Sequence, residues 1–365
     1  MQKLQKMGLG VVAVVSMMVV LDVAQAKSNR DYEPLNPVKI VLEDDEKETV
    51  YPSVAGDFLV YSQRINYAYS VARVAKDHLS AAGREVKADF ANESIRYGVA
   101  LQDGGIGHVS NRMGPYSAWI LQAGGDGYVA IGHVDAYKHG LMPNNLKASA
   151  DGHIWCYDTS LEGTRRAAMS RDFEDGHQDI ELIGQTWRMY HSESWRYHQD
   201  YLTIETGRKN SFEAPVLFVM NQDQQQLMMI PHAFDGAISA DGKQIAFVRE
   251  IDGNFDIWMQ DVDGKNLKQI TTNKFGDFEP AFSPDGKRLA FISNRDHQGE
   301  VRQTSIYVVD LSSGRIEQVT NAEKATDGGV AWLDEHHLIF HSNRNSKDPQ
   351  KRIGSHWNLW QVEMK

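Results

Sequence analysis

An internal repeat of short strands and tight turns constrains the fold of this chain more than any other feature. Residues 280–320 read PAFSPDGKRLAFISNRDHQGEVRQTSIYVVDLSSGRIEQVT, which divides into four strands, two turns and one polar loop. Pro284-Asp285-Gly286 and Ser313-Gly314 are reverse turns. Proline fixes φ at a value that such turns use, and glycine adopts the positive φ that they require. Four antiparallel strands in about 40–50 residues are the unit of a β-propeller blade.

Copies of this repeat occur along the whole chain. Residues 237–272 repeat it closely, and residues 331–365 repeat its first three strands. Before them, residues 52–64 and 94–111 fit a first unit, residues 115–133 and 154–169 fit a second, and residues 180–230 fit a third. The sequence therefore predicts six blades.

The two ends of the repeat complement each other. The last unit lacks a fourth strand, and a spare strand, VKIVLE at residues 38–43, precedes the first unit. If this strand completes the last blade, the ring closes and few sheet edges stay exposed. We therefore predict an all-β, six-bladed propeller of four-stranded antiparallel blades over residues 38–365, preceded by an extension over residues 27–37. An open sandwich of unrelated hairpins is the alternative.

The segments SPDGKRLAF, SNRD and IYVVDLSSG resemble the WD40-like (PD40) repeats of the TolB family of periplasmic propellers. The resemblance is specific over residues 237–345 and depends on turn and strand positions before them. It implies a six-bladed propeller and a place in the cell envelope. TolB proteins carry an α/β domain ahead of the propeller, which we do not expect here, so none of the family's partner-binding residues is carried over.

The first 26 residues have the pattern of a secretory signal peptide. Lys3 and Lys6 form its basic region, residues 7–21 its apolar run, and Ala24-Gln25-Ala26 its small-residue cleavage site. The apolar run is short for a transmembrane span, although an uncleaved anchor is the alternative. We expect a periplasmic protein that is cleaved after Ala26 and does not span the membrane. Its one cysteine, Cys156, excludes an intrachain disulfide.

The formal net charge of the chain is −11 at pH 7. An acidic protein is repelled by nucleic acids and by anionic membranes, so we expect no nucleic-acid partner. We expect a monomer whose partner is an envelope protein or a polysaccharide.

The two ends of a propeller ring carry different connections. We call the end with the loop after each second strand and with the links between blades the entry end, as in residues 250–255. The opposite end, with turns such as Pro284-Asp285-Gly286, is the turn end. Long insertions are predicted at the entry end over residues 65–93, 135–153 and 191–214. In the first of these, SVARVAKDHLSAAG at residues 70–83 has the spacing of a helix capped by Ser70 and Gly83.

Insertions confined to one end of a scaffold are typical of functional loops. Histidines expected at the entry end are His78, His139, His153, His177, His191, His198, His232, His297 and His356. Aromatic side chains with polar neighbours suit sugar faces or peptide side chains. The candidate binding residues are Tyr137, His139, His177, His191, Trp195, Tyr197, His198 and Tyr201.

Motifs of common enzyme classes are absent from the sequence. There is no GxSxG nucleophile elbow, phosphate loop or dinucleotide fingerprint. Glu181, Glu279 and Asp327 lie near predicted strand entrances, where we interpret them as solvated loop acids. The sequence favours an exported binding or scaffold protein without cofactor or catalytic residues. The alternative is a metal-assisted carbohydrate-active enzyme, a polysaccharide lyase or glycosidase, that holds a divalent metal with histidines of the entry end.

Overall fold

The computed structural model of the chain describes residues 35–44, 46–65, 68–79, 81, 83–88, 93–112, 116–124, 127–131, 144–158, 168–169, 177–182, 185–191, 200–205, 216–221, 227–300, 302–321, 325–345, 347–348 and 356–364. All of them belong to one compact unit, Pro34–Lys365. No helix in this part of the chain is long and apolar enough to cross a membrane.

The described strands form seven four-stranded antiparallel sheets, six of which are the blades of a propeller. After β1 (Val38–Leu42), blade one consists of β2 (Glu48–Ala55), β3 (Phe58–Ile65), β4 (Ala68–Ala75) and β5 (Arg84–Glu85). Blade two consists of β6 (Ile95–Ala100), β7 (Ile106–Ser110), β8 (Ser117–Leu121) and β9 (Tyr128–Ala130). Blade three starts with β10 (Asn144–Ala148) and β11 (Ile154–Asp158).

A separate sheet then interrupts blade three. It consists of β12 (Ala168–Met169), β13 (His177–Leu182), β14 (Gln185–His191) and β15 (Asp200–Glu205), in the order β12-β15-β14-β13, and we call it the inserted sheet. Blade three resumes with β16 (Val216–Asn221), which pairs with β11, and ends with β17 (Leu227–Pro231). The inserted sheet therefore connects a second strand to a third strand, which places its connection at the entry end.

The last three blades follow the repeat closely. Blade four consists of β18 (Ala233–Ile238), β19 (Gln244–Ile251), β20 (Asn254–Asp261) and β21 (Lys268–Gln269), and blade five of β22 (Asp277–Phe282), β23 (Arg288–Ser293), β24 (Ser305–Asp310) and β25 (Ile316–Gln318). Blade six consists of β26 (Asp327–Trp332), β27 (His337–Ser342), β28 (Asn358–Glu363) and β1. Single 3-10 turns lie at Lys76–His78 and Arg295–His297.

The ends of the chain meet in blade six. β1 pairs antiparallel with β28, with Val38 opposite Val362 and Ile40 opposite Trp360. The prediction of an all-β, six-bladed propeller with four-stranded blades is thus confirmed. The predicted boundaries of the first three units were wrong, because residues 95–110 are the first hairpin of blade two and not the end of blade one.

The predicted helix over residues 70–83 is also wrong. Residues Ala68–Ala75 form β4, which pairs with β3 along its whole length from Ile65 opposite Ala68 to Phe58 opposite Ala75. Neighbouring blades cover both faces of a blade, so a strand there needs no polar face and its apolar run imitates helical spacing. The β-branched Val71 and Val74, both buried, favour the strand.

This correction changes the three insertions. Residues 65–93 are not a loop insertion, because they contain the third and fourth strands of blade one. Within residues 135–153, Asn144–Ala148 is the innermost strand of blade three and residues 149–153 are the turn after it; residues 132–143 lie outside the described part. Within residues 191–214, Asp200–Glu205 belongs to the inserted sheet.

Two histidines consequently change ends. His78 follows the third strand of blade one, and His153 lies between the first and second strands of blade three, so both belong to the turn end. The predicted entry-end position is wrong for these two residues, whereas His232, His297 and His356 lie in entry-end connections.

Side chains hold the turns at the turn end in one conformation. In blade five, the Ser283 hydroxyl donates to Asp285 Oδ1 at 2.6 Å, and the same oxygen accepts the Lys287 N–H at 3.1 Å. Gly286 then takes φ of 69°, which the turn requires and a side chain disfavours. Blades three and four repeat the arrangement with Ser149-Asp151 and Ser239-Asp241.

In blades two, five and six, an ion pair joins a carboxylate in or just before the inner strand to the Ser-Asn-Arg segment at the end of the second strand. Arg344 Nε donates to Asp327 Oδ1 at 2.9 Å, and both side chains are at most 1% exposed. The same segment pairs Arg295 with Asp277 at 2.7 Å and Arg112 with Glu93 at 2.9 Å. The interpretation of Asp327 as a solvated acid is therefore wrong.

Replacing Asp327 with asparagine leaves the buried guanidinium of Arg344 without a counter-charge. Because removal of one partner of a buried pair costs about 3–5 kcal/mol, we expect a loss of that size in the free energy of unfolding. Urea denaturation measures it. Asp263→Asn is the matched control, since it removes the acid of an exposed pair with Lys265 and should leave the midpoint unchanged. Equal midpoints for Asp327→Asn and the unchanged protein would contradict the assignment.

Candidate binding site on the propeller axis

The innermost strand of each blade is interrupted by one residue in the left-handed region. These residues are Tyr51, Tyr97, Asn145, Asp235, Glu279 and Gly329, with φ between 48° and 58°, and we call them the axial ring. Each lies where the pairing of the first and second strands shifts register. A bulge of this kind re-aims a side chain out of the regular alternation of a strand.

Five of the six ring residues are not glycine. A non-glycine residue in the left-handed region costs on the order of 1–3 kcal/mol and persists only where the surrounding structure enforces it. Such residues concentrate at functional sites. The repetition of this conformation at one position in all six blades marks the axial ring as the candidate site.

The axial ring surrounds a small cavity on the propeller axis. The residues that line it include all six members of the ring and Lys147, which follows Asn145 on the same strand. Two carboxylates, one ammonium group, one amide and two phenol hydroxyls therefore meet on the axis. This set of donors and acceptors suits a polar ligand or a polar segment of a partner.

The two carboxylates of the ring are held differently. Asp235 Oδ1 accepts a hydrogen bond from Asn145 Nδ2 at 3.0 Å, which links blades three and four. Glu279 accepts the backbone N–H of Gly329, which links blades five and six. Burial raises the pKa of Glu279, while the Gly329 N–H and the charge of Lys147 oppose that shift. The ring is thus tied together across blade boundaries by its own polar groups.

His341 supports the ring from the second strand of blade six. Its Nδ1 accepts the Tyr51 N–H at 3.2 Å, and its ring packs against Tyr51 and Trp357 at centroid distances of 5.0 and 5.1 Å. Burial lowers the pKa of His341 from 6.5 to about 3, so the imidazole stays neutral and keeps an acceptor nitrogen at neutral pH. A Cβ on Gly329 would lie 2.3 Å from Nδ1, which explains the glycine at this ring position.

The side chain of Tyr51 is partly exposed, but its surroundings disfavour the charged form of its hydroxyl. The residue is 38% accessible, yet it lines the axial cavity, where protein atoms surround the hydroxyl. Desolvation raises the pKa of Tyr51, and the carboxylate of Glu279 raises it further. Tyr51 and Tyr97 lie with ring centroids 6.3 Å apart, so the blade-one and blade-two members of the ring form an aromatic pair.

None of the candidate residues from the sequence belongs to the axial ring. Tyr137, His139, Trp195, Tyr197 and His198 are outside the described residues. His177, His191 and Tyr201 belong to the inserted sheet, where His177 is opposite Tyr190, His191 is opposite Leu202, and Tyr201 is opposite Ala168. The register brings these three backbone positions to one end of that sheet, and their role as binding residues remains a prediction.

Sequence reasoning missed the axial ring. The available signal was a polar or glycine residue inside each inner strand, as in Tyr51-Pro52 and Glu279-Pro280, which align in the repeat. Glu279 was interpreted as a solvated loop acid, which is wrong because it lines the axial cavity. Glu181 lies in β13, opposite Thr186. Among the described residues, no group of three or more histidines, cysteines or carboxylates is arranged to hold a metal ion.

The buried neutral state of His341 predicts a pH dependence of stability. The unfolded chain binds a proton at this histidine below about pH 6.5, whereas the folded protein does so only near pH 3, so stability falls as the pH falls between these values. The slope from this one group is about 1.4 kcal/mol per pH unit. His341→Gln keeps an acceptor for Tyr51 and does not titrate, so its stability should fall less steeply with acid.

Urea denaturation at a series of acidic pH values measures this difference. His336→Gln, at an exposed turn residue, is the control and should keep the slope of the unchanged protein. Identical slopes for His341→Gln and the unchanged protein would refute the assignment of a buried neutral imidazole.

Residues 231–356 match the TolB beta propeller domain, PD40. The chain is similar to a putative TolB from Agrobacterium tumefaciens, with 17% identity over 72% of this chain and 73% of that chain and a TM-score of 0.46. It is similar to TolB from Acinetobacter baumannii, with 12% identity over 87% of this chain and 63% of that chain and a TM-score of 0.45.

An oligogalacturonate lyase in complex with manganese is also similar, with 10% identity over 92% of this chain and 95% of that chain and a TM-score of 0.46. No curated protein matches the chain in sequence. The chain is therefore a six-bladed β-propeller whose residues 231–356 are TolB-like PD40 repeats.

Proposed function

We propose that this chain is an exported, periplasmic binding or scaffold protein of the cell envelope. It engages a protein or polysaccharide partner at the entry end, with a polar segment of that partner in the axial ring. The observation that carries the proposal is the ring itself, in which five non-glycine residues adopt a costly backbone conformation and line one polar cavity.

The position of the inserted sheet is further evidence that the entry end is the binding face. It is attached between a second and a third strand, and those connections lie at the end where the inner strands begin. The axial ring lies near the start of each inner strand, as Glu279 does in Asp277–Phe282. A partner that contacts the inserted sheet therefore approaches the axis from the side on which the ring is nearest.

Export is the second element of the proposal. The basic, apolar and small-residue regions of residues 1–26, which lie outside the described residues, support a cleavable signal peptide. Resemblance to the TolB family adds the periplasm as the destination.

Site-specific photo-crosslinking tests the binding face. A photoreactive phenylalanine analogue at Tyr97 should form adducts when the protein is mixed with solubilised envelope proteins or with isolated envelope polysaccharide. The same probe at Lys265, an exposed turn-end residue, should form none. Replacing residues 159–215 by the short turn of residues 251–254 should reduce the adducts at least tenfold, because the partner loses the inserted sheet. Adducts of equal yield from both probe positions, or a yield unaffected by the replacement, would contradict the proposal.

Mass spectrometry of the mature protein tests export. The protein recovered from the periplasmic fraction should begin at Lys27, because cleavage follows Ala26. Replacing Ala24 with lysine should block cleavage of the signal peptide, since a long charged side chain does not fit a cleavage site that needs small residues. A periplasmic protein that retains Met1, or one found only in the cytoplasm, would refute this part of the proposal.

A metal-assisted carbohydrate-active enzyme is the second candidate. The histidine-rich sequence of this region, with His177, His191 and His198, supports it, since imidazole is a common ligand of transition metals. Metal analysis of protein purified without chelator or His-tag decides between the two. A stoichiometric metal that is lost on His191→Ala favours the enzyme; absence of metal together with no turnover of uronate polymers eliminates it.

A further inference from the structure

The axis opens at the turn end into a second, larger cavity. All six blades contribute to its wall, and we call this cavity the funnel. One wall residue from each blade, in chain order, is Ser53, Ala100, Ala148, Ala237, Ala281 and Ala331. Lys147, Pro280 and Val330 line both the funnel and the axial cavity, so the two adjoin.

The charged groups of the funnel wall are opposite in sign to the net charge of the whole chain. The chain carries a net charge of −11, but no carboxylate of the described residues lines the funnel. Its charged wall residues are two lysines, Lys76 and Lys147, and most of the rest are alanine, valine, proline, isoleucine, leucine and aromatic side chains. A concave, apolar surface with a local excess of positive charge attracts a ligand that is both apolar and anionic.

The two lysines differ in the groups that surround their ammonium ends. Lys76 Nζ donates to the carbonyl oxygen of Leu333 at 3.2 Å and so ties blade one to blade six. Lys147 is half-buried, and its charge acts on the Glu279 carboxylate, which lines the axial cavity with it, without a salt bridge to that group. A half-buried ammonium group gains from a counter-ion that replaces its lost hydration. Lys147 is therefore the side chain that holds an anionic group.

The wall of the funnel offers few hydrogen-bonding side chains to a sugar. Ser53 Oγ accepts the Ala100 N–H at 3.0 Å, and the Ser283 hydroxyl donates to Asp285 at 2.6 Å. Ser53 Oγ is thus partly engaged and Ser283 fully engaged within the protein, so a glycan in the funnel would find few partners for its own hydroxyls. An alkyl chain has no such requirement.

We propose that the funnel binds a free medium-chain carboxylate, with the carboxylate on Lys147 and the alkyl chain along the apolar wall toward the turn end. The funnel wall runs from Lys147 in β10 to Ala150 in the turn after it, at most about 10 Å of chain at 3.4 Å per residue, the scale of a medium alkyl chain. The funnel lies on the turn-end side of the axial ring, away from the proposed partner face, although Lys147 lines both cavities. Titration with a carboxylate and crosslinking at Tyr97 are separate tests, so failure of one leaves the other proposal standing.

Titration calorimetry with a series of saturated carboxylates from hexanoate to decanoate, below their micelle concentrations, tests the site. Each added methylene should increase the affinity about fourfold, because burial of a methylene contributes about 0.8 kcal/mol. Decylamine at the same concentration should show no saturable binding, since its cationic head meets two lysines. Absence of saturable binding of decanoate, or equal binding of decylamine, would overturn the proposal.

Variants assign the head group to its lysine. Lys147→Met should weaken decanoate binding at least tenfold, while Lys268→Met, at an exposed residue of β21, should bind as the unchanged protein does. Ala331→Glu, which adds a carboxylate to the funnel wall, should also abolish binding. Melting temperatures of all three variants show that the ring is folded. Undiminished binding by Lys147→Met or by Ala331→Glu would refute the site.

Discussion

Burial of both faces of every blade is the constraint on which this structure depends. A single four-stranded sheet cannot bury two apolar faces, so each blade needs a neighbour on either side and the row of blades has to close. Phe247, Phe291 and Phe340, at corresponding positions of the second strands in blades four to six, are fully buried. The pairing of β1 with β28 completes the last sheet from the other end of the chain, so closure links residues more than 300 positions apart.

Closure also crowds the innermost strands around one axis, and the bulge at the axial ring exists in that setting. A regular strand would direct alternate residues into the blades on either side. The left-handed residue in each inner strand breaks this alternation at one level of the axis. As a result, polar groups such as Asp235 and Glu279 face a shared cavity and are tied across blade boundaries by Asn145 and by the Gly329 N–H.

The two ends of the axis have acquired different chemistry from the same six strands. Toward the entry end, the ring presents carboxylates, phenols and an amide, and blade three carries an additional sheet. Toward the turn end, short turns such as Ser283-Pro284-Asp285-Gly286 border an apolar wall with two lysines. Lys147 lies at the boundary between the two, where it acts electrostatically on Glu279 and His341.

The turns, the number of blades and the complementary ends can be predicted from the sequence, because they depend on local chemistry. A pair such as Asp285-Gly286 favours a turn wherever it occurs, and the number of repeat copies gives the number of blades. The identity of residues 68–75 as a strand could not be read, since Val71 and Val74 fit a helix until two neighbouring blades are known to cover both faces. The axial ring, the neutral His341 and the ion pair of Asp327 with Arg344 were not predicted from the sequence for a related reason. Each depends on which distant strands lie side by side, and a conformation such as that of Tyr51 is stable only when residues hundreds of positions away hold it in place.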